Sequence, residues 1–475
     1  MKLFGAGRPD HPMADRRQAR RILDGLPAQE SKALDELAHW HESASTAEGF
    51  KAEDRAQLLA MIDEAAQPRL RKLAREYLGA APVQQSLLWM RIHRYWSQAG
   101  QAYARAIGSK PRAELVVGAL RALGQQLRWQ QLRYGPIDAA IWGQMNRIFA
   151  LAEAQGIVAA NPEFLKAALL SASSMDSRLA PEIELAERVI EALAPSFALA
   201  KSPSPVLPYW IDLGRAMAPV RGKQAPPPAA GLRFIGPGAA LGTLHGLIRS
   251  VQKTGQVPAE LRLGPDCDDD TLLVVMLHLA AHWAPEPPER KHKRHSVSSR
   301  LRIAHGFDGV VEALSGASAS LDFGGAAGEA ASWVVENVSA GGFGALAPQA
   351  KNDWLKVGAL VAVWPEGAPG WLVGTVRRVS KLSPQEVRVG VETLSRAPAL
   401  SRFALPRTGE AQGVLLPAVA GSGDAAIALR AGVYARGENL ETTIGGRQHV
   451  YLPQGIAERG DDYEIVRFKE LVRES

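Results

Sequence analysis

The hydrophobic period of this chain changes once, at a proline cluster, and that change limits the fold more than any other feature. Upstream, over 27–284, apolar residues recur at helical spacing. Leu34, Leu37, Ala38 and His41 share one face, as do Leu58, Leu59 and Ile62 with Ala65 and Ala66. Residues 83–107 carry Leu87, Leu88, Met90, Ile92, Tyr95, Trp96, Ala99, Tyr103 and Ala106 in one broad stripe, and similar stripes cover 112–132 and 137–154. Pro111, Pro136 and Pro162 punctuate the segments; proline suits a helix start because the N–H it lacks has no intrahelical partner there. Pro285, Pro287 and Pro288 then end the last helical stretch, 272–282. Downstream, glycine makes up 24 of 190 residues, against 21 of the preceding 285, and alternation with a period of two takes over. It is clearest in 385–394, where Val387, Val389 and Val391 point inward and Glu386, Arg388 and Glu392 lie nearby or outward. The other expected strands are 300–303, 309–314, 332–336, 357–364, 371–379, 413–419, 425–436, 448–452 and 462–468.

The expected fold class is therefore multidomain α plus β. A weakly ordered stretch, 1–26, precedes an all-helical bundle or array over 27–284, with a Pro-rich linker at 219–231. A small β-domain over 288–397 and a further β-rich piece over 398–475 follow; the latter is either a second barrel or the completion of the first. A length of 475 residues and an apolar content of 46% suffice for more than one core.

The net charge of +6 is mild for this length and does not point to general nucleic-acid binding. Its distribution is sharper. Arg290, Lys291, Lys293, Arg294, Arg300 and Arg302 fall in a stretch with no acidic residue from 290 to 307, a concentrated anion site. Arg16, Arg17, Arg20 and Arg21 read as the solvated face of a short terminal helix. One cysteine, Cys267, allows no intramolecular disulfide and fits a reducing, cytoplasmic location. No apolar run approaches the ~18 residues of a membrane span, and the Arg-rich 7–21 segment is unlike a secretory signal.

Two short stretches carry the chemistry. Arg290-Lys291-His292-Lys293-Arg294 sets two guanidiniums four residues apart. Such groups grip phosphate or the guanine edge through paired N–H donors and stack on flat rings. Asn337-Val338-Ser339-Ala340-Gly341-Gly342 supplies an amide, a hydroxyl and an unobstructed backbone. Together they suit an anionic ligand with planar, hydrogen-bonding rings. The pair resembles the signature of the PilZ family, Arg-x-x-x-Arg followed by Asp/Asn-x-Ser-x-x-Gly. The resemblance implies a small antiparallel β-barrel that binds cyclic di-GMP, with Arg290 and Arg294 as the motif arginines. Asn337, Ser339 and Gly342 would form the second motif, and Lys291 and Lys293 would add charge. The interval of 43 residues from Arg294 to Asn337 exceeds the family's usual spacing. The Gly/Ala/Ser-rich run 316–328 is expected to be an inserted loop.

Other constellations reduce to structure. Ser296, Ser298 and Ser299 near His295 lack a glycine-framed elbow and an orienting group. His292 and His295 sit among cations, and His39 and His41, two apart on a helix, point away from each other; no metal site and no cofactor are expected. Asp266, Asp268, Asp269 and Asp270 read as helix-dipole partners rather than a calcium loop. Gly236-Pro237-Gly238 lacks the lysine of a phosphate loop and reads as a plain helix start. The seven tryptophans before residue 290 read as core. The expected function is a non-enzymatic cyclic di-GMP receptor that relays ligand state to the helical region or to a protein partner. By the resemblance, that partner belongs to motility or surface-growth machinery. Two alternatives stand beside it: a PilZ-like adaptor that binds no ligand, and a single-stranded nucleic-acid binder using 290–302. The last requires more exposed aromatics than Trp333 and Phe307 offer.

Overall fold

The computed structural model describes residues 9–108, 111–222, 226–263, 267–286, 292–316, 333–349, 354–405, 409–417 and 424–473. The chain forms two compact units, Met1–Met175 with Ala180–Pro288, and Asp176–Leu179 with Glu289–Ser475.

In the first unit, eight helices run in succession: α1 (Arg16–Asp24), α2 (Glu30–Thr46), α3 (Ala52–Gly79), α4 (Pro82–Ala106), α5 (Ala113–Gln131), α6 (Ala139–Ala154), α7 (Ala160–Ala172) and α8 (Ala180–Leu193). After a small sheet come α9 (Ala240–Thr254) and α10 (Asp269–Trp283). Local chemistry sets the ends. Pro82 opens α4, the Asp138 carboxylate accepts from the Ala140 N–H to cap α6, and Asp268 caps α10 by accepting from the Thr271 N–H at 2.8 Å. Within the acidic run, Asp268 thus caps α10 and Asp269 and Asp270 fall in its first turn; Asp266 lies outside the described residues. Trp96, Trp129, Trp142 and Trp283 are buried in the shared apolar core.

A buried polar hub ties α2, α3, α4 and α5 together. The Asp63 carboxylate accepts from the hydroxyls of Tyr95 (2.6 Å) and Tyr103 (3.1 Å) and pairs with Arg121. The Tyr95 proton is committed to Asp63, so its oxygen accepts from Nε2 of His41 at 3.2 Å. His41 is fully enclosed, and its Nδ1 has no partner among the described residues.

The helical expectation holds for this region, with one addition. Strands β1 (Ala198–Ala200), β2 (Tyr209–Asp212), β3 (Val220–Arg221) and β4 (Leu232–Gly236) form an antiparallel sheet in the order β1-β4-β2-β3. All five residues of β4 are buried, so it lacks the alternation that marks a strand. β3 lies inside the stretch expected to be a linker. The broad stripe on α4 also divides. Leu88, Ile92, Tyr95, Trp96, Ala99 and Tyr103 are buried, whereas Leu87 and Met90 are not; the stripe was wider than one helix face.

The second unit contains two closed antiparallel barrels. The first is built from β5 (His295–Ser296), β6 (Arg300–His305), β7 (Trp333–Ser339), β8 (Gly342–Pro348), β9 (Leu360–Pro365), β10 (Leu372–Lys381) and β11 (Glu386–Ser395). The order is β5-β7-β6-β9-β10-β11-β8, and pairing of β7 with β8 closes the ring. β5 and β6 lie along one edge of β7, like a single interrupted strand, so the barrel is six strands round. Val387, Val389 and Val391 are buried within it, as their alternation predicts.

Residues 309–314, expected as a strand, instead lie in helix α11 (Gly306–Ser315). Phe307, Val310 and Ala313 are its buried residues, a spacing of three that a short apolar run does not distinguish from a strand. The interval between the two motifs is thus partly filled by a helix. Most of the expected inserted loop lies outside the described residues.

The second barrel comprises β12 (Ala399–Leu405), β13 (Gly409–Leu416), β14 (Asp424–Arg430), β15 (Leu440–Ile444), β16 (Arg447–Arg459) and β17 (Tyr463–Arg473), closed in the order β12-β13-β14-β17-β16-β15. Residues 398–475 therefore make a second barrel and do not complete the first. Phe403, Leu405, Ile427, Leu429, Tyr451, Val466 and Phe468 form its own core. A separate cluster joins the barrels: Phe307, Val310 and Ala313 of α11 pack with Leu360, Ala362 and Val373 of the first and Val414, Leu416, Ala428, Tyr463 and Ile465 of the second. The Phe307 N–H donates to Oδ2 of Asp462 at 2.7 Å, and the Tyr463 hydroxyl donates to the Gly358 carbonyl at 2.9 Å.

Candidate functional site: a cationic hairpin on the first barrel

The pairing of β5 with β7 brings the described part of the two motifs together. His295 lies opposite Val338 and Ser296 opposite Asn337. Carried back one residue, that register sets Arg294 level with Ser339. Lys293 and Arg294 are exposed. Arg290 and Lys291 lie outside the described residues.

β7 and β8 form a hairpin in which Ser339 faces Gly342 across a two-residue turn, Ala340-Gly341. The Ser339 hydroxyl donates to the Gly342 carbonyl at 3.1 Å. Gly342 has φ +154°, and a Cβ there would stand 2.0 Å from the Val391 carbonyl oxygen of β11. Only glycine fits, because the neighbouring strand's backbone occupies the space. A Cβ on Gly341 would meet the His292 ring at 3.0 Å, so the segment entering β5 lies against the turn.

Asn337 follows an irregularity in the ladder: Val335 pairs with Ala345 and Asn337 with Gly344, leaving Glu336 extra. The Asn337 amide lies over Gly344, where a Cβ would come within 2.9 Å of Nδ2. Its Oδ1 is buried and has no hydrogen-bond partner among the described residues. The strand begins at Trp333, which is fully buried. Its ring runs parallel to Trp354 (6.0 Å, 5°), which stacks on His305 (4.1 Å, 4°). Burial holds the His305 imidazole below its usual pKa.

A further cation reaches the hairpin. Arg396 follows β11 and donates from Nη2 to the Ala340 carbonyl at 3.0 Å. Sequence reading missed it, since no local motif marks it; its only signal is its place just beyond the valine alternation of β11. Arg388 is exposed but committed, bidentate to Glu336 at 2.9 and 3.1 Å, and that pairing raises its pKa. On the same barrel the Arg302 guanidinium lies over Trp364 at 5.5 Å, and Trp364 meets Trp371 edge to face. Trp333 and Phe307 are both buried, so neither offers a stacking face.

The hairpin thus gathers cationic donors, a buried acceptor and a glycine turn packed against His292 and the Val391 carbonyl. Among the described residues, no group of three or more His, Cys, Asp or Glu could hold a metal ion, and no helix is long and apolar enough to cross a membrane.

The chain is thus a helical region followed by two closed antiparallel barrels, the first bearing a cationic hairpin. Residues 17–204 match the family described as cyclic-di-GMP receptor FimW, N-terminal domain. The match runs from α1 to just beyond β1 and ends before the barrels. No curated protein matches the chain.

Proposed function

We propose that this chain is a non-enzymatic cyclic di-GMP receptor that takes its ligand on the first barrel. Arg290 and Arg294 clamp phosphate or stack on guanine, Lys291 and Lys293 add charge, and Asn337, Ser339 and the Gly342 backbone meet the polar base edge. The observation that supports this reading is the pairing of His295 with Val338, by which Arg294 comes level with Ser339 of the Asn-x-Ser-x-x-Gly hairpin. The family match adds independent support, because it rests on helices that share no residue with the motif. Each charge-assisted hydrogen bond contributes about 1.5–3 kcal/mol net, and micromolar binding needs only about 8 kcal/mol. The occupied site signals from the cytoplasm to the helical region, or to a protein partner of the motility or surface-growth machinery.

A PilZ-like adaptor that binds no ligand has its own support. Ser339 and Gly342 already serve the hairpin, which gives both residues a structural reason to be present. Single-stranded nucleic-acid binding draws only on Arg302 with the half-buried Trp364 and Trp371.

Calorimetric titration with cyclic di-GMP, GTP and a short oligonucleotide separates the three. Arg294→Ala should weaken cyclic di-GMP binding by about 10- to 100-fold, the equivalent of one charge-assisted bond. Ser339→Ala should cost about 1 kcal/mol. Silence with both guanine ligands would leave the adaptor. Oligonucleotide binding with steep salt dependence would leave the third function.

A further inference from the structure

Helix α4 exposes apolar side chains on the side away from its core. Val83 is 78% exposed, Leu87 48% and Met90 52%. They stand at i, i+4 and i+7, a single line opposite the buried line of Leu88, Ile92, Tyr95 and Trp96. Scattered exposed leucines are ordinary, but an aligned row of large apolar residues marks a contact surface.

The charges around the row define what covers it. None of the 25 residues of α4 is acidic. The row begins at the helix N-terminus, where Ala81 offers no side-chain cap and the backbone dipole presents its positive end. Arg94 is next on the same line; it is exposed and pairs with no carboxylate among the described residues. Arg91, one turn from Leu87, is already matched to Asp35 of α2 at 3.3 Å. Val83 and Arg94 are about 16 Å apart at 1.5 Å per residue. The surface is therefore an apolar line bracketed by two positive ends.

We propose that this face of α4 docks an acidic amphipathic helix of a partner protein. Three apolar anchors at i, i+4 and i+7 would lie between carboxylates about three turns apart. A second copy of this chain fits less well. The row is one side chain wide and about two turns long, short of the ~800 Å² per partner of a standard interface. In an antiparallel self-pairing, each Arg94 would also face the partner's positive helix N-terminus with no acid between them.

The test uses the full chain and a fluorescein-labelled synthetic helical peptide of about five turns, with leucines at i, i+4 and i+7 and glutamates at both ends. A matched peptide carries lysines in place of the glutamates. Fluorescence anisotropy should show binding of the acidic peptide only, weakening with added salt. Leu87→Ser and Met90→Ser should each reduce affinity at least tenfold, and Arg94→Glu should reverse the charge preference. Both sites are exposed, so circular dichroism and Tm should not move. The proposal is overturned if the acidic peptide does not bind, if both peptides bind equally, or if the substitutions leave its affinity unchanged. Sedimentation that detects a dimer abolished by Leu87→Ser would replace it with self-association. Flotation with anionic vesicles abolished by the same substitution would replace it with a lipid surface.

Discussion

His41 is enclosed on all sides, and burial pushes its pKa down to about 4 despite the pull of the Asp63 charge, with Arg121 lowering it further. The unfolded chain, with an ordinary imidazole near 6.5, binds more protons than the folded one between those values. Stability from this residue is therefore complete above pH 6.5 and is lost as the pH falls to 4. The full effect is about 3 kcal/mol, since each tenfold difference in proton affinity between the folded and unfolded chain is worth about 1.36 kcal/mol. Denaturant midpoints of the helical unit should fall across that window, and His41→Phe should flatten the slope; an unchanged slope would show that other groups set the acid sensitivity. At this scale the sequence was informative about identity but not about cause. Gly342 was legible as a motif residue, yet what demands glycine there is the Val391 carbonyl, 49 positions along. Arg396 reaches the same hairpin from beyond β11 and was invisible, because its contact depends on the register of β11 rather than on its neighbours in the chain.

Helix α11 shows why some elements are harder to read than others. Its N-cap position, His305, makes no capping bond, and the Phe307 N–H is satisfied by Asp462, 155 residues later. A helix stopped and started by its own caps can be read locally, as with α6 and α10; one capped from another domain cannot. Replacing Asp462 with alanine should therefore cost the barrel unit about 1 kcal/mol, the usual worth of a cap. A drop in its thermal midpoint of a few degrees would register the loss. Asp462→Asn, which keeps an acceptor oxygen, should recover most of it. No drop with alanine would mean that packing of Phe307, Val310 and Ala313 alone holds the helix.

At the scale of the molecule, the change of period anticipated a helical region followed by a β-rich one, because a period is carried by dozens of residues, although it misread helix α11 as a strand. It could not show that the two barrels share a core, since the residues concerned lie on the outer faces of both. Cutting the chain after residue 397 should leave Phe307, Val310, Leu360 and Ala362 open to water, and the first barrel should then aggregate or lose its cooperative transition. Calorimetry of the intact second unit should show one transition for both barrels, and two well-separated ones would contradict the shared core. The small sheet of the helical unit escaped the reading because β4 is buried throughout and too short to declare a period.

The stack of Trp333 on Trp354 and His305 gives the barrel a built-in optical probe. Trp333 sits four positions up the strand from Asn337, at the dry end of an element whose other end meets the proposed ligand. A small tilt of that strand alters the overlap of two parallel indoles, so emission and near-ultraviolet dichroism report on the hairpin without any label. The seven indole-bearing positions before residue 290 belong to the helical unit; Trp364 and Trp371 of the same barrel form a second close pair, and replacing Trp371 with phenylalanine leaves the Trp333–Trp354 pair as the coupled reporter of the barrel.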